Sequence, residues 1–316
     1  VKPRYLVTAI GGDIGSSVIH HLGEAIPRES LLGCDITPYV SGYGYAGEFF
    51  LMPPYTEEDR YIEALQRECK RRGITHILPM TEGEIILFDR HRHVWSLEGI
   101  KVMINKHSII EIAMSKYHTA AAIKAIGLDS PQTWKVGEEA GKITYPVIVK
   151  PDRGCGSKKI RIVRNRLEYD MAAAEIPEAV AQEYIGTPEE EYTMGVFSDG
   201  VDVKSIIFKR RLGAGGMTCR AELVEDTEAG RIAETAAKAL GLEGSINIQM
   251  RKKDGRYYIF EINPRISGTV GFRYLLGFKD ILWWLDLMDG RKDRMEYAPV
   301  RLPAVGIRTF GEEIFL

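Results

Sequence analysis

The sequence predicts a mixed chain: α/β with a doubly wound parallel sheet over its first hundred residues, and α+β beyond them. Three observations carry this. Strand and helix signals alternate through residues 5–80, the pattern of a parallel sheet with crossover helices. A strand ending in Lys150 runs into a glycine- and serine-rich loop at 152–159. Residues 245–265 alternate apolar and polar side chains on both sides of Asp254-Gly255, as a β-hairpin does.

Composition narrows the classes. The chain has 316 residues, formal net charge −2, 45% hydrophobic and 27% charged residues, ordinary values for a soluble globular protein of two or three domains. Near-neutral charge argues against a generic nucleic-acid binder. No apolar run approaches the roughly 18 residues a membrane helix needs. The N-terminus lacks the basic-then-apolar pattern of a signal peptide. Four scattered cysteines (Cys34, Cys69, Cys155, Cys219) lack metal spacing, so a reduced, cytoplasmic setting is expected.

Residues 5–10 read as a buried strand, followed by the glycine turn 11–15 and a helix from near Ser16. A second strand, 31–34, ends at Asp35. The turn with Asp35 fits either the ribose contact of a dinucleotide site or a tight strand-to-helix turn. Thr56 is expected to cap a helix with Glu57, Glu58 and Asp59 in its first turn. Residues 76–80 form another strand, and Glu82 and Glu84 follow it, where open α/β sheets bind ligands. A middle segment begins near Ser115-Lys116 with a helix at 117–126 that stops at Gly127. Strands at 145–151 and 160–163 flank the glycine-rich loop, whose backbone N–H groups suit phosphate oxygens. A third segment from about Val180 holds residues 181–185, an acidic run Glu189-Glu190-Glu191, strands at 192–197 and 204–211, and a helix at 227–240 that leads to the hairpin.

On the hairpin, period-two alternation puts Asn247 and Gln249 on one face of the first strand and Glu261 and Asn263 on one face of the second. Ile246, Ile248, Met250, Tyr258, Phe260 and Ile262 are assigned to the opposite face. All four polar groups share a face only if facing residue numbers sum to an even value. A two-residue loop at Asp254-Gly255 pairs Gln249 with Phe260 and splits the set. A three-residue loop with Gly255 left-handed sets Asn247 opposite Glu261, and is the expected one. Such a face suits Mg2+, which takes carboxylate and amide oxygens together with phosphates. A solvated polar face is the alternative. Arg265 follows directly, a fixed donor for phosphate.

Together these parts resemble the ATP-grasp superfamily, specifically its carbamoyl phosphate synthetase-like carboxylate–amine ligases. The resemblance implies a pre-ATP-grasp α/β domain at 1–110, a small lid at 111–180, and a larger domain at 181–316, the last two forming a two-lobed ATP-grasp fold. It implies ATP and Mg2+ as cofactors. Lys116 and Lys150 would hold phosphates, and Gly154, Gly156 and Ser157 would form the flap over them. Glu183, Tyr184 and Ile185 would be the hinge reading adenine. Glu191 would hold the ribose, with Glu189 and Glu190 as competing assignments. Gln249, Glu261 and Asn263 would ligate Mg2+, with Glu261 bridging two ions. Asn247 and Arg265 would contact the γ-phosphate and the forming acyl phosphate. Gly268 stands where carbamoyl phosphate synthetase places a second arginine, which argues against bicarbonate as substrate.

The implied activity is ATP-dependent joining of a small carboxylic acid to an amine, with ADP and phosphate released. An acyl-phosphate-forming or carboxyphosphate-forming kinase and a non-catalytic nucleotide module are the alternatives. Small-molecule substrates are the expected partners, without nucleic acid or membrane, and a homodimer is one expected assembly. Candidate substrate contacts are Glu82 and Glu84 for an ammonium group, Lys209, Arg210 and Arg211 for a carboxylate, and Ser267, Gly268 and Arg273 for the acceptor pocket. The basic run reads equally as an exposed strand end. Lys158-Lys159 reads as a solvated loop end, Trp283-Trp284 as core, and Cys155 as packing.

Overall fold

The computed structural model describes residues 2–138, 143–154, 159–291, 295–298 and 303–309. By contacts these divide into two compact units. The first takes residues from 1–105 and 265–300, with Thr309, and the second takes residues from 106–264 and 301–308.

The first unit is built on a parallel sheet ordered β3-β2-β1-β4-β5. Its strands are β1 (Tyr5–Val7), β2 (Leu31–Asp35), β3 (Glu48–Leu51), β4 (His76–Leu78) and β5 (Lys101–Val102). Helix α1 (Asp13–Leu22) follows β1, α2 (Glu58–Arg72) follows β3, and α3 (Glu82–Arg90) and α4 (Arg92–Leu97) lie between β4 and β5. Leu6, Leu32, Ile77, Leu65, Phe88 and Trp95 belong to its buried core. The first strand stops at Val7, three residues short of the expected end, because Ala9 turns to a φ of 48°. Thr56 caps nothing. α2 starts one turn position later, with Glu57 at the N-cap and no side-chain cap bond.

The second unit opens with α5 (His107–Ala113) and α6 (Lys116–Ala125). A small sheet follows, β6 (Thr133–Lys135), β7 (Val147–Pro151), β8 (Arg161–Val163) and β9 (Ala179–Glu183), ordered β6-β9-β7-β8 and backed by α7 (Arg166–Glu175). Val147, Val149, Ala181, Tyr169 and Ala172 form its own core. The larger sheet runs β14-β13-β10-β11-β12-β15. It comprises β10 (Glu191–Asp199), β11 (Val203–Leu212), β12 (Thr218–Val224), β13 (Glu243–Lys253), β14 (Arg256–Asn263) and β15 (Val305–Ile307). α8 (Thr227–Leu240) covers one face with Ala229, Ala233, Ala236 and Ala237, small side chains at helical spacing that let it lie close. Its ends are fixed by sequence: Asp226 accepts from the N–H groups of Glu228 and Ala229, and Gly241 closes the helix at φ 60°. α9 (Val270–Leu275) and α10 (Asp280–Met288) then rejoin the first unit.

The hairpin of β13 and β14 departs from the expected register. The loop is the two-residue Asp254-Gly255 turn, both residues left-handed at φ 50° and 79°, with Lys253 facing Arg256. Met250 faces Ile259, but Gln249 faces Glu261 and Asn247 faces Asn263. Phe260 is the extra residue of a β-bulge, and it moves the sum of facing numbers from odd to even. The four polar residues therefore share parity through a bulge, and Asn247 lies opposite Asn263 rather than Glu261. The buried face of β14 is correspondingly Tyr257, Ile259 and Ile262; Tyr258 and Phe260 lie only half-buried on the other side.

Candidate active site

The polar face of the larger sheet is organised by Asn247, which is buried. Its Nδ2 donates to Thr193 Oγ1 at 2.7 Å and to the Met194 carbonyl at 3.1 Å. Its Oδ1 accepts from Gln249 Nε2 at 3.4 Å and Asn263 Nδ2 at 3.3 Å. Every hydrogen-bonding position of this amide is thus engaged within the protein. Asn247 orients its two neighbours, and turns the amide oxygens of Gln249 and Asn263 away from itself.

Glu191 is also buried, and each of its oxygens is gripped by an arginine fork. Arg210 Nε and Nη2 donate to Oε1 at 3.0 and 2.6 Å, and Arg251 Nε and Nη2 to Oε2 at 3.1 and 2.9 Å. Four N–H groups fill the carboxylate's acceptor sites. Ribose hydroxyls could reach it only by displacing one fork. Arg210 Nη2 donates in addition to Gln249 Oε1 at 2.7 Å. Arg251 lies over the rings of Tyr184 (5.4 Å) and Phe260 (6.0 Å).

Lys150, at the end of β7, is buried and donates to Gln182 Oε1 at 2.8 Å. Gln182 is fixed in turn by Thr133, and Lys150 Nζ lies 5.6 Å from the Phe260 ring. Burial pushes its pKa down to about 8. Glu261 opposes that shift, while Lys116 and Arg251 add to it. Lys116 Nζ reaches the carbonyls of Gly154 (2.9 Å) and Asp152 (3.3 Å), at the start of the glycine-rich loop. Gly156 and Ser157, the rest of the expected flap, lie outside the described residues, as do Cys155 and Lys158.

Glu261 stands apart. Its carboxylate has neither a hydrogen bond nor an ion pair with any described residue, and it is only partly buried. One uncommitted carboxylate beside the amides of Gln249 and Asn263 fits a hard divalent cation that completes its shell with phosphate oxygens. It does not make an all-protein cage, and the described residues hold no group of three His, Cys, Asp or Glu able to bind a metal.

Other expected residues are placed elsewhere. Lys209 pairs with Glu190 and sits over the Tyr192 ring, on the opposite face of β11 from Arg210; Arg211 shares that opposite face and is exposed. Of the basic run, only Arg210 joins the polar face. In the expected hinge, Glu183 N donates to the Gln132 carbonyl at 2.8 Å and Tyr184 N to the Pro146 carbonyl at 3.3 Å, while the Ile185 side chain is buried. Sequence reading passed over Arg251 and Gln182 and assigned Phe260 to the apolar face, whereas the structure sets it beside Lys150 and Arg251. Arg251 and Phe260 were legible as the next same-face positions of the hairpin, once a bulge is allowed.

In the first unit, Arg265 Nη2 donates to Glu82 Oε1 at 3.0 Å, both side chains nearly buried. Glu84 completes a capping box with Thr81 and also accepts from Thr8 and Tyr61, so it is a structural anchor rather than an ammonium reader. Arg273 is consumed by Asp280, Ser267 and Thr269 at 2.7–2.8 Å in a fully buried network. Ser267 and Arg273 therefore hold the fold together. Gly268 lies against α1: a Cβ there would meet Asp13 Oδ2 at 2.9 Å. Asp35 accepts from the N–H of Gly11 (2.8 Å) and of Ile36 (2.8 Å), which ties down its own turn. Gly15 is needed because a Cβ would come within 2.3 Å of the Ala9 carbonyl. Both observations favour the tight-turn reading over ribose recognition.

Residues 113–269 match the family described as ATP-grasp domain, and residues 6–103 the family described as PylC-like, N-terminal domain. The chain carries an ATP-grasp domain. Its ATP-grasp match takes in Lys116, Lys150, Glu191, Arg210 and the whole β13–β14 hairpin. The carbamoyl phosphate synthase large chain of Thermotoga neapolitana is 30% identical over 202 residues, 55% of this chain and 18% of that protein. That of Mesorhizobium japonicum is 23% identical over 286 residues, 77% of this chain and 24% of that one. The chain thus spans about a fifth of the length of these relatives. Among solved structures, the fold is shared with an L-amino acid ligase from Bacillus licheniformis (TM-score 0.73, 16% identity, covering 95% of this chain and 78% of that one). It is shared too with an N5-carboxyaminoimidazole synthetase from Staphylococcus aureus (TM-score 0.70, 14% identity, covering 90% and 77%).

Proposed function

We propose that this ATP-grasp chain is an ADP-forming ligase that joins a small carboxylic acid to an amine through an acyl phosphate. The observation that carries the reading is the charge pattern of the polar face. An uncommitted carboxylate, Glu261, stands with two oriented amides, and Lys150, Arg210 and Arg251 supply positive charge around it. Transfer of a phosphoryl group to a carboxylate brings two anions together, so catalysis is mostly neutralisation and alignment.

In this reading Glu261 and Asn263, with Gln249 beside them, hold Mg2+, which supplies Lewis-acid neutralisation of the phosphates. Lys150 and Lys116 bind phosphate oxygens. A substrate carboxylate oxygen attacks the γ-phosphorus, and the bond to the ADP oxygen breaks. The amine lone pair then attacks the acyl carbon, phosphate leaves, and the nitrogen loses a proton to give the amide. The loop that includes Gly154 excludes water while the acyl phosphate exists. Small-molecule substrates fit this chemistry. A reducing, cytoplasmic setting fits the free thiols of Cys34, Cys69 and Cys219. Among the described residues no helix is long and apolar enough to cross a membrane.

The test is a screen of paired amino acids and other small acids with amines for ADP release. Release should need both substrates, and Glu261→Ala should lower turnover by more than about a hundredfold while leaving the circular dichroism unchanged. AMP and pyrophosphate as products, or an active Glu261→Ala protein, would remove the reading.

A further inference from the structure

We infer that this chain binds its nucleotide with one divalent cation instead of two, and that the Arg210 guanidinium supplies the second positive charge beside Gln249. The inference deepens the ligase reading above and rests on its nucleotide site.

Four observations lead there. Gln249 Oε1, the oxygen a cation on that side would need, already accepts from Arg210 Nη2 at 2.7 Å. Arg210 is not free to swing away, because the same guanidinium grips Glu191 Oε1, and Glu191 is held from its other side by Arg251. The side chains of Arg210 and Glu191 are 10% and 8% exposed, so solvent does little to screen this charge. Glu191 has spent all its acceptor sites on the two arginines, which leaves Glu261, beside Gln249 and Asn263, as a carboxylate without such a partner among the described residues.

A second dication on Gln249 Oε1, at its usual distance of about 2.1 Å, would sit within about 5 Å of a fixed guanidinium in a poorly screened setting. It would also have no anionic protein ligand of its own, since Glu261 serves the first ion. Arginine meets the same electrostatic need. It stays charged at any working pH and offers a planar set of donors to phosphate. Arg210 Nη1 makes no hydrogen bond to a described residue, so that donor pair remains for a nucleotide oxygen.

Mn2+ is the probe. The unaltered protein, saturated with the β,γ-imido analogue of ATP, should bind one Mn2+ per chain in equilibrium dialysis, and its paramagnetic resonance spectrum should lack the splitting of a spin-coupled pair. Arg210→Gln should take up a second Mn2+ and develop that splitting. The double variant Arg210→Gln/Glu191→Gln, which leaves no orphaned carboxylate, should do the same and covers the case in which the single variant fails to fold. Two coupled Mn2+ in the unaltered protein would overturn the inference. So would variants that bind the analogue and still hold one ion. Failure of the unaltered protein to bind the analogue by calorimetry would instead remove the nucleotide reading itself, and the inference with it.

Discussion

Lys150 is where burial and function pull against each other. The folded chain lowers its pKa to about 8, against roughly 10.4 for an exposed lysine. Between those values the unfolded chain binds more protons than the folded one, so this residue makes stability rise with pH from about 8 to 10. Below pH 8 the ammonium is present in both states and its burial is a constant cost. A bound phosphate favours the ammonium, so nucleotide binding near pH 8–9 should take up protons. Calorimetry in two buffers of different ionisation enthalpy should give different apparent enthalpies for the unaltered protein, and equal ones for Lys150→Met. Equal enthalpies for both proteins would contradict the buried-lysine assignment. Asn247, Glu191 and Gln249 behave differently from Lys150. Their residue types announced a polar face, but whether each was a ligand or a brace depended on partners distant in sequence: Thr193, Arg210 and Arg251.

Among the elements, the β13–β14 hairpin decides the site. Its loop holds Asp254 and Gly255 in left-handed backbone, which fixes the odd register near the turn. Gly255→Ala should destabilise the second unit by about 1–2 kcal/mol, read as a shifted denaturant midpoint, without altering the side chains of the polar face. The bulge at Phe260 then restores even parity where Gln249 meets Glu261. Alternation alone could place Asn247, Gln249, Glu261 and Asn263, but it could not place an extra residue. A bulge is a choice between two ladders of similar energy, settled by which side chains find the core. Here Tyr257, Ile259 and Ile262 find it, and Phe260 is left beneath Lys150 and Arg251. α8 is the opposite case: the cap Asp226, the alanine stripe and Gly241 that hold it are all local in sequence, and the helix expected at 227–240 has those bounds in the structure.

Across the whole molecule, the chain leaves the first unit after Asn105, builds the second, and returns at Arg265. The returning segment is pinned by Arg273 and Asp280, both about 1% exposed. Removing one partner of such a pair leaves an uncompensated buried charge at a cost of about 3–5 kcal/mol. Asp280→Asn should therefore move the unfolding transition of the first unit to lower denaturant while nucleotide binding by the second persists. An unchanged transition, followed by Trp95 or Trp283 fluorescence, would contradict the structural role given to Arg273. That role was hidden in the sequence because Arg273 follows closely on Asn263 and Arg265, which the sequence reads as candidate metal and acyl-phosphate contacts.

Local chemistry was enough for the alternating first sheet, the capped α8, the lysine at the end of β7 and the four polar residues of the hairpin. Each of these depends on periodicity or on neighbours within a few positions, and such energies are set before the chain is compact. The bulge, the saturation of Glu191 by two arginines, the brace around Arg273 and the separation of Arg210 from Lys209 were decided only in the folded molecule. They depend on which buried polar group finds which partner, and a low-dielectric interior forces that pairing among residues that the sequence holds far apart.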